Sequence, residues 1–318
     1  MFRSFFIYLS KAVWARQVVT NWRVSWKMAS RFIAGKQVSD AIRAIRALNE
    51  KGINATLDHL GEHTTNPESA VQATQDILEA LEAIHQSGLC ANVSIKLTQI
   101  GMVVDQKLCV SNLEKILTSA RELNNFIRVD MEDSPVTQRT LDIVQQMRQA
   151  GYDNLGVVIQ AYLYRSESDI RQLCEEGITV RLCKGAYKEP PDVAFPKKQD
   201  VDRNYDRLAE LLMEAAKKRG SPVLSENGCY PPIPILATHD ERRITHALNY
   251  AQQIDLPKRA IEFQMLFGIR RDLQESLALQ GYPVRVYVPY GTEWYPYYMR
   301  RLAERPANIW FFISNLLR

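Results

Sequence analysis

The chain has 318 residues, of which 46% are hydrophobic and 24% charged, and its formal net charge is +4. This is the composition of an ordinary globular protein, and no stretch approaches the roughly 20 apolar residues that a membrane-spanning helix needs. Basic tracts and base-stacking motifs are absent, so we expect no nucleic-acid partner. The five cysteines are odd in number and none has CxxC spacing, which favours a reducing, cytoplasmic location without disulfides or a zinc site.

The first 50 residues are predicted to form an N-terminal helical segment. Apolar residues recur there at helical spacing, as at Val38, Ile42 and Ile45. The same segment is basic and aromatic rather than built like a signal peptide, because it has no small-residue cleavage site. Residues 51–318 are predicted to form one catalytic domain, which includes the C-terminal helix.

From residue 51 onward, short apolar runs alternate with longer amphipathic stretches. Eight such runs are predicted to be strands, at residues 55–60, 91–97, 126–131, 156–160, 178–182, 235–238, 261–264 and 284–288. Eight stretches are predicted to be helices, at residues 68–86, 111–123, 135–150, 168–176, 201–218, 241–253, 271–279 and 295–304. This order predicts an α/β fold, a (β/α)₈ TIM-type barrel with extra N-terminal helices.

The predicted strands carry polar residues at every second position, although strands of parallel sheets are usually apolar throughout. In the third strand Arg128 and Asp130 share one face, and in the eighth strand Arg285 and Tyr287 do so. Inward polar groups are costly unless they are paired. The pattern therefore indicates a satisfied ionic network, an occupied polar cavity, or both; the alternative is that these residues lie on loops.

Barrel enzymes place their active sites at the carboxyl ends of the strands. Polar residues stand at or near the ends of the predicted strands: Lys96, Asp130, Gln160, Arg181, Thr238, His239, Gln264 and Tyr287. After Arg181, the pair Gly185-Ala186 would let the backbone approach a flat or phosphorylated ligand. The alternative for this segment is an ordinary basic strand end.

The last predicted helix has one polar stripe, formed by Tyr297, Arg300, Arg301 and Glu304 at positions i, i+3, i+4 and i+7. Two adjacent guanidinium groups beside a tyrosine suit a small carboxylate ligand. A solvated helix face with an Arg300–Glu304 pair explains the stripe equally well.

Two other enzyme classes compete at this point. A Schiff-base aldolase would use Lys96 or Lys184 as its nucleophile, although nearby carboxylates would keep Lys96 protonated. A metallohydrolase would need a cluster such as His59, Asp130 and His239, but no HxH motif supports it.

Seven segments in order resemble the proline dehydrogenase family, in its short single-activity bacterial form. They are VSIKL (93–97), VDME (129–132), VIQAY (158–162), RLCKGAY (181–187), ATH (237–239), EFQML (262–266) and YYMRRLAE (297–304). The resemblance spans about residues 55 to 310 and implies a barrel that binds FAD and oxidises L-proline to pyrroline-5-carboxylate. Since the chain ends soon after the last helix, no second catalytic domain is expected.

The resemblance also implies roles for the matching residues. Asp130 and Arg181 are expected to be catalytic, with Arg181 against the flavin and Asp130 paired with a basic residue, plausibly Lys96. The expected substrate contacts are Lys96, Arg300 and Arg301 for the carboxylate, and Tyr287, Tyr297, Leu182 and Leu266 for the ring. The expected FAD contacts are Met131, Gln160, Lys184, Gly185, Ala186, Thr238, His239, Gln264 and Glu304. Lys188 departs from some bifunctional relatives, which carry an aromatic residue there.

Relatives in this family pass electrons to a membrane quinone, which implies peripheral contact with the inner face of the cell membrane. The basic, aromatic N-terminus and the tail at residues 309–313 could supply that contact, or both could pack on the barrel. The resemblance further implies a pathway partner, pyrroline-5-carboxylate dehydrogenase, which would consume the product.

Overall fold

The computed structural model of the chain describes residue 19 and residues 23–61 and 64–304. Eight strands alternate with helices, and the strands are β1 (Asn54–His59), β2 (Ala91–Ile95), β3 (Ile127–Val129), β4 (Leu155–Gln160), β5 (Thr179–Cys183), β6 (Pro234–Ala237), β7 (Glu262–Leu266) and β8 (Val284–Tyr290). The helices are α1 (Arg23–Ala29), α2 (Val38–Asn49), α3 (Pro67–Gln86), α4 (Gln106–Glu122), α5 (Ser134–Gln149), α6 (Ser166–Glu175), α7 (Lys198–Lys218), α8 (Glu241–Gln253), α9 (Arg271–Leu279) and α10 (Trp294–Glu304).

The strands form one closed parallel barrel in chain order, so the predicted (β/α)₈ fold is confirmed. β8 closes the barrel by pairing with β1 from Asn54↔Arg285 to His59↔Tyr290. Helix starts follow local capping chemistry. Asn66 accepts a hydrogen bond from the backbone N–H of Ser69 at the start of α3, and Asp240 accepts one from Arg242 at the start of α8.

The predicted alternation of strand faces is also present. Val93, Ile95 and Val129 belong to the apolar layer between strands and helices, and each is at most 1% exposed. Inside the barrel, Arg285 donates two hydrogen bonds to Glu262, with both side chains fully buried. The inward polar residues therefore lie in strands, and a paired ionic network accounts for part of them.

The helices at the two ends of the chain depart from a regular barrel. α2 packs on β8 and β1, and its Ala41 and Ile45 are fully buried in the main core. α10 instead belongs to a second apolar cluster, with Ala29, Ile33 and Leu60. Thus α2 covers the strands where the eighth helix of a regular barrel would lie. The division of the chain at residue 50 stays a prediction.

Candidate active site

A cavity of about 570 Å³ opens at the carboxyl ends of the strands, in the size range of cofactor and substrate sites. Its walls combine charged side chains with apolar ones such as Val158 and Leu266. Of the eighteen residues predicted to form the site, sixteen line this cavity: Lys96, Asp130, Met131, Gln160, Arg181, Lys184, Gly185, Ala186, Thr238, His239, Gln264, Leu266, Tyr287, Tyr297, Arg300 and Arg301.

Arg181 and Asp130 form the buried centre of the cavity floor. The Arg181 guanidinium donates to the Asp130 carboxylate, to the Gln264 side-chain oxygen at 3.1 Å and to the Ser94 hydroxyl at 3.2 Å. The Tyr287 hydroxyl donates to the other Asp130 oxygen at 2.7 Å, and Arg181 lies 5.4 Å from the centre of the Tyr287 ring. These bonds fix the guanidinium at the floor, where it can stabilise negative charge.

Lys96 is within ion-pair distance of Asp130, as predicted, but its closer partner is Asp58. Its Nζ donates to Asp58 at 2.8 Å and lies 4.0 Å from Asp130, so Asp58 is its hydrogen-bond partner and Arg181 is the partner of Asp130. Burial alone would lower the pKa of Lys96, but the charges of Asp58 and Asp130 outweigh it and raise the pKa above 10.5. Lys96 is therefore held as an ammonium, which suits an anion ligand and not a Schiff-base nucleophile.

The loop after β5 forms one wall of the cavity. Gly185 has φ +121°, and a Cβ there would lie 2.5 Å from the Tyr162 ring, so this glycine is required by the backbone and by Tyr162. Lys184 donates to Asp202 and Asp240, the latter at 2.6 Å. The sequence predicted that this glycine allows a ligand to approach the backbone closely. Its positive φ and its contact with Tyr162 are a second reason for a glycine at this position.

Two side chains that are predicted to contact FAD, Gln160 and His239, are held in place by hydrogen bonds within the protein. Gln160 donates to the Glu132 carbonyl at 2.7 Å and accepts from the Ala186 N–H at 3.3 Å. His239 accepts the Leu266 N–H through Nε2 at 2.9 Å, which leaves the proton of a neutral imidazole on Nδ1. These bonds fix a rigid wall between β4 and β7.

α10 brings Tyr297, Arg300 and Arg301 to the open side of the cavity. The Arg301 guanidinium lies 5.1 Å from the centre of the Tyr297 ring, and Tyr297 is 6% exposed. The alternative of a solvated helix face is therefore wrong for these three residues. The side chain of Glu304 lies outside the described residues.

Leu182 does not line the cavity, and its predicted substrate contact is wrong. Arg181 and Cys183 face the barrel axis, so the intervening Leu182 points to the helices and is fully buried in the main core. Sequence reasoning also missed cavity residues, among them Asp58 and Tyr187. Burial and the nearby Glu132 raise the pKa of Tyr187 to about 12, against the opposing charges of Arg300 and Lys96.

His59 and His239 do not converge on a metal site. His59 lies 3.4 Å from Asp76 on α3, whereas His239 bonds to Leu266. Among residues 19, 23–61 and 64–304, no group of three or more His, Cys, Asp and Glu side chains is arranged to hold a metal ion.

Comparison with known proteins decides the family. The family model for proline dehydrogenase matches residues 41–312. Proline dehydrogenase 2 of Bacillus subtilis (strain 168) is 39% identical over 316 residues, which are 99% of this chain and 99% of that protein. The chain belongs to the proline dehydrogenase family. Proline dehydrogenase of Deinococcus radiodurans is 40% identical over 297 residues, 92% of this chain and 91% of that protein.

A solved structure has the same fold over most of this chain. Proline utilization A from Bdellovibrio bacteriovorus, crystallised after inactivation by N-propargylglycine, matches with a TM-score of 0.77 and 26% identity. The match covers 87% of this chain and 32% of that one. Proline dehydrogenase activity, the first step of proline catabolism, is thus the activity of this chain, and the cavity at the strand ends is the candidate active site.

Proposed function

We propose that the chain oxidises L-proline to pyrroline-5-carboxylate with bound FAD and passes the electrons to a membrane quinone. The observation that carries this proposal is the convergence of Lys96, Arg181 and the Arg300–Arg301 pair on one cavity. An anion clamp beside an apolar wall suits a small cyclic amino acid, and the cavity volume of about 570 Å³ leaves room for a second, larger group.

The residues present fit a flavin. The wall formed by the end of β4, the loop after β5 and the ends of β6 and β7 combines main-chain groups at Gly185 and Ala186 with apolar residues such as Val158 and Ala237. We infer that this wall holds FAD, with Met131, Gln160, Lys184, Thr238, His239 and Gln264 in contact with it. Bound FAD would supply the hydride acceptor that the protein lacks.

The substrate would be held at the opposite side of the cavity. Lys96, Arg300 and Arg301 bind the proline carboxylate, and Leu266, Tyr287 and Tyr297 contact the ring. Fixing both ends of a small substrate turns an encounter into an oriented pair. Oxidation removes a hydride from C5 and a proton from the nitrogen, which leaves the C=N bond of pyrroline-5-carboxylate. Arg181, held by Asp130, stabilises the negative charge that the site acquires.

The remaining partners follow from the same proposal. Pyrroline-5-carboxylate dehydrogenase would consume the product. Quinone as acceptor requires contact with the inner face of the membrane, and no described helix is long and apolar enough to cross one. Trp26 of the basic, aromatic N-terminus packs edge-to-face on Trp294, with ring centres 5.4 Å apart, so this aromatic residue serves packing. The segment before residue 19 and the tail at residues 309–313 lie outside the described residues.

A visible spectrum tests the proposal. Protein reconstituted with FAD should show flavin absorbance that disappears when L-proline is added without oxygen. Cyclopentanecarboxylate, which lacks the amine, should bind without bleaching and serves as the control. Colourless protein that takes up no flavin, or flavin that proline leaves oxidised, would refute the proposal.

A further inference from the structure

Arg128 lies inside the barrel, one layer below the cavity. It is 2% exposed, and the strand register places it beside Gly156 of β4, which in turn pairs with Thr179 of β5. Arg181 follows Thr179 by two residues, so it stands about 7 Å nearer the mouth along the strand. Arg128 is thus close to the site without lining it.

The hydrogen bonds of Arg128 go to neutral groups. Its guanidinium donates to the carbonyl oxygens of Thr179 at 2.7 Å and Val157 at 3.3 Å, and to the Thr179 hydroxyl at 3.1 Å. It also lies 5.0 Å from the centre of the Phe126 ring. None of these partners is a carboxylate.

The two carboxylates of the neighbouring layers are bound by other arginines. Asp130 accepts from Arg181, and Glu262 accepts from Arg285. Within the described residues, therefore, Arg128 makes no salt bridge, and only neutral groups accept its hydrogen bonds, while Glu262 and Asp130 act on its charge from a distance.

The sequence makes room for this guanidinium. A Cβ at Gly156 would lie 2.2 Å from the Arg128 Nη1 and 2.4 Å from the Thr179 Oγ1. Any other residue at position 156 would displace the arginine from its carbonyl partners. A small residue on β4 thus keeps a buried cation in place.

The charge persists although its surroundings disfavour it. Burial first, and then the charge of Arg181, lower the pKa of Arg128, and the charges of Glu262 and Asp130 oppose this only in part, but an arginine side chain stays protonated in proteins. A negative group placed one layer above would relieve this cost. At about 10 Å and an effective dielectric constant of about 20, the attraction corresponds to roughly a tenfold change in a binding constant.

We propose that Arg128 is an electrostatic positioning residue that stabilises negative charge in the cavity. It strengthens binding of the substrate carboxylate and favours the electron-rich state of the bound flavin. The proposal rests on the proposed function, because the proposed function identifies the substrate carboxylate and the flavin as the anions that Arg128 would stabilise.

Paired substitutions at Thr179 test the charge without removing Arg128. Thr179→Asp places a carboxylate against the guanidinium and neutralises it, whereas Thr179→Asn has nearly the same shape without the charge. Arg128→Met and Arg128→Lys form the second pair. The measurements are the Kd for cyclopentanecarboxylate and the midpoint potential of the flavin in protein loaded with FAD.

Thr179→Asp and Arg128→Met should weaken acid binding about tenfold and lower the flavin potential. Thr179→Asn and Arg128→Lys should stay within about twofold of wild type. If Thr179→Asp and Thr179→Asn have the same Kd and the same flavin potential, the proposal is overturned. If Arg128→Met does not fold, the two Thr179 variants alone decide the test. Failure of the proposed function is distinct, because the wild-type protein itself would then bind no flavin.

Discussion

At the scale of single residues, the site depends on pairs that no single strand reveals. Lys96 was predicted from its place at a strand end, but its partner Asp58 is on β1, 38 residues earlier. Only the register between β1 and β2, which sets Asp58 opposite Ser94, makes these two side chains neighbours, so the pairing could not be read from spacing. The predicted substrate contact of Leu182 was wrong for a related reason. The role came from the family resemblance, and it was not checked against the two-residue alternation of side chains along β5.

The pairing of Lys96 predicts a pH dependence. Its raised pKa means that the ammonium is present below that pKa and is lost only as the pH rises through it. The other groups facing it are Asp58, Asp130 and Tyr187, and the pKa of Tyr187 is also raised. We therefore expect the Kd for cyclopentanecarboxylate to stay level from about pH 8 to about pH 10.

Titration by calorimetry at several pH values would measure this. Lys96→Met should already bind weakly at the lower pH and serves as the reference for a site without the ammonium. A steep loss of affinity in the wild type near pH 9 would show that the pKa of Lys96 lies below its ordinary value and is not raised.

At the scale of elements, the strands and helices could be predicted from the sequence. Where each helix packs in the fold could be predicted only in part. Eight alternating runs predicted the barrel, since a parallel strand must be followed by a crossover. Periodicity says which face of a helix is apolar, but not what it packs against. The last helix was expected to bring Tyr297, Arg300 and Arg301 to the site, and α10 does line the cavity with them. Its packing with Ala29 and Ile33, and the position of α2 over β8 and β1, were not predicted.

This arrangement predicts that α1 supports substrate binding from a distance. Trp26 on α1 packs against Trp294 at the start of α10, which carries Arg300 and Arg301. Trp26→Ala should loosen α10 and raise the KM for proline severalfold, while flavin content stays normal. Steady-state kinetics would measure it, with Leu279→Ala as a control because Leu279 is 90% exposed. An unchanged KM with reduced thermal stability would show that α1 stabilises the fold but does not affect substrate binding.

At the scale of the whole molecule, the barrel interior is ionic rather than apolar. The alternating polar pattern predicted this from sequence, because charges at every second strand position must share the axis of a closed barrel. Which charges pair depended on register, as the Arg285–Glu262 and Arg181–Asp130 bonds show. Such pairs add little net stability, but breaking one leaves a buried charge alone.

Glu262→Gln should therefore cost about 3–5 kcal/mol in the free energy of unfolding, because it leaves the fully buried Arg285 without a counter-ion. Glu275→Gln is the matched control. Glu275 pairs with Lys51 at 2.6 Å, but these side chains are 45% and 56% exposed, so its loss should cost at most about 1 kcal/mol. Denaturant unfolding monitored by circular dichroism would measure both. If the two variants lose similar amounts of unfolding free energy, the charge of Glu262 is not needed to stabilise the buried Arg285.

The most direct test of the account is the double variant Arg300→Met with Arg301→Met. If α10 supplies the carboxylate clamp to a cavity whose other walls hold the flavin, the KM for proline should rise by roughly a factor of a hundred while bound FAD stays at one per chain. Loss of FAD in parallel with activity, or a KM close to that of the wild type, would contradict the shared cavity.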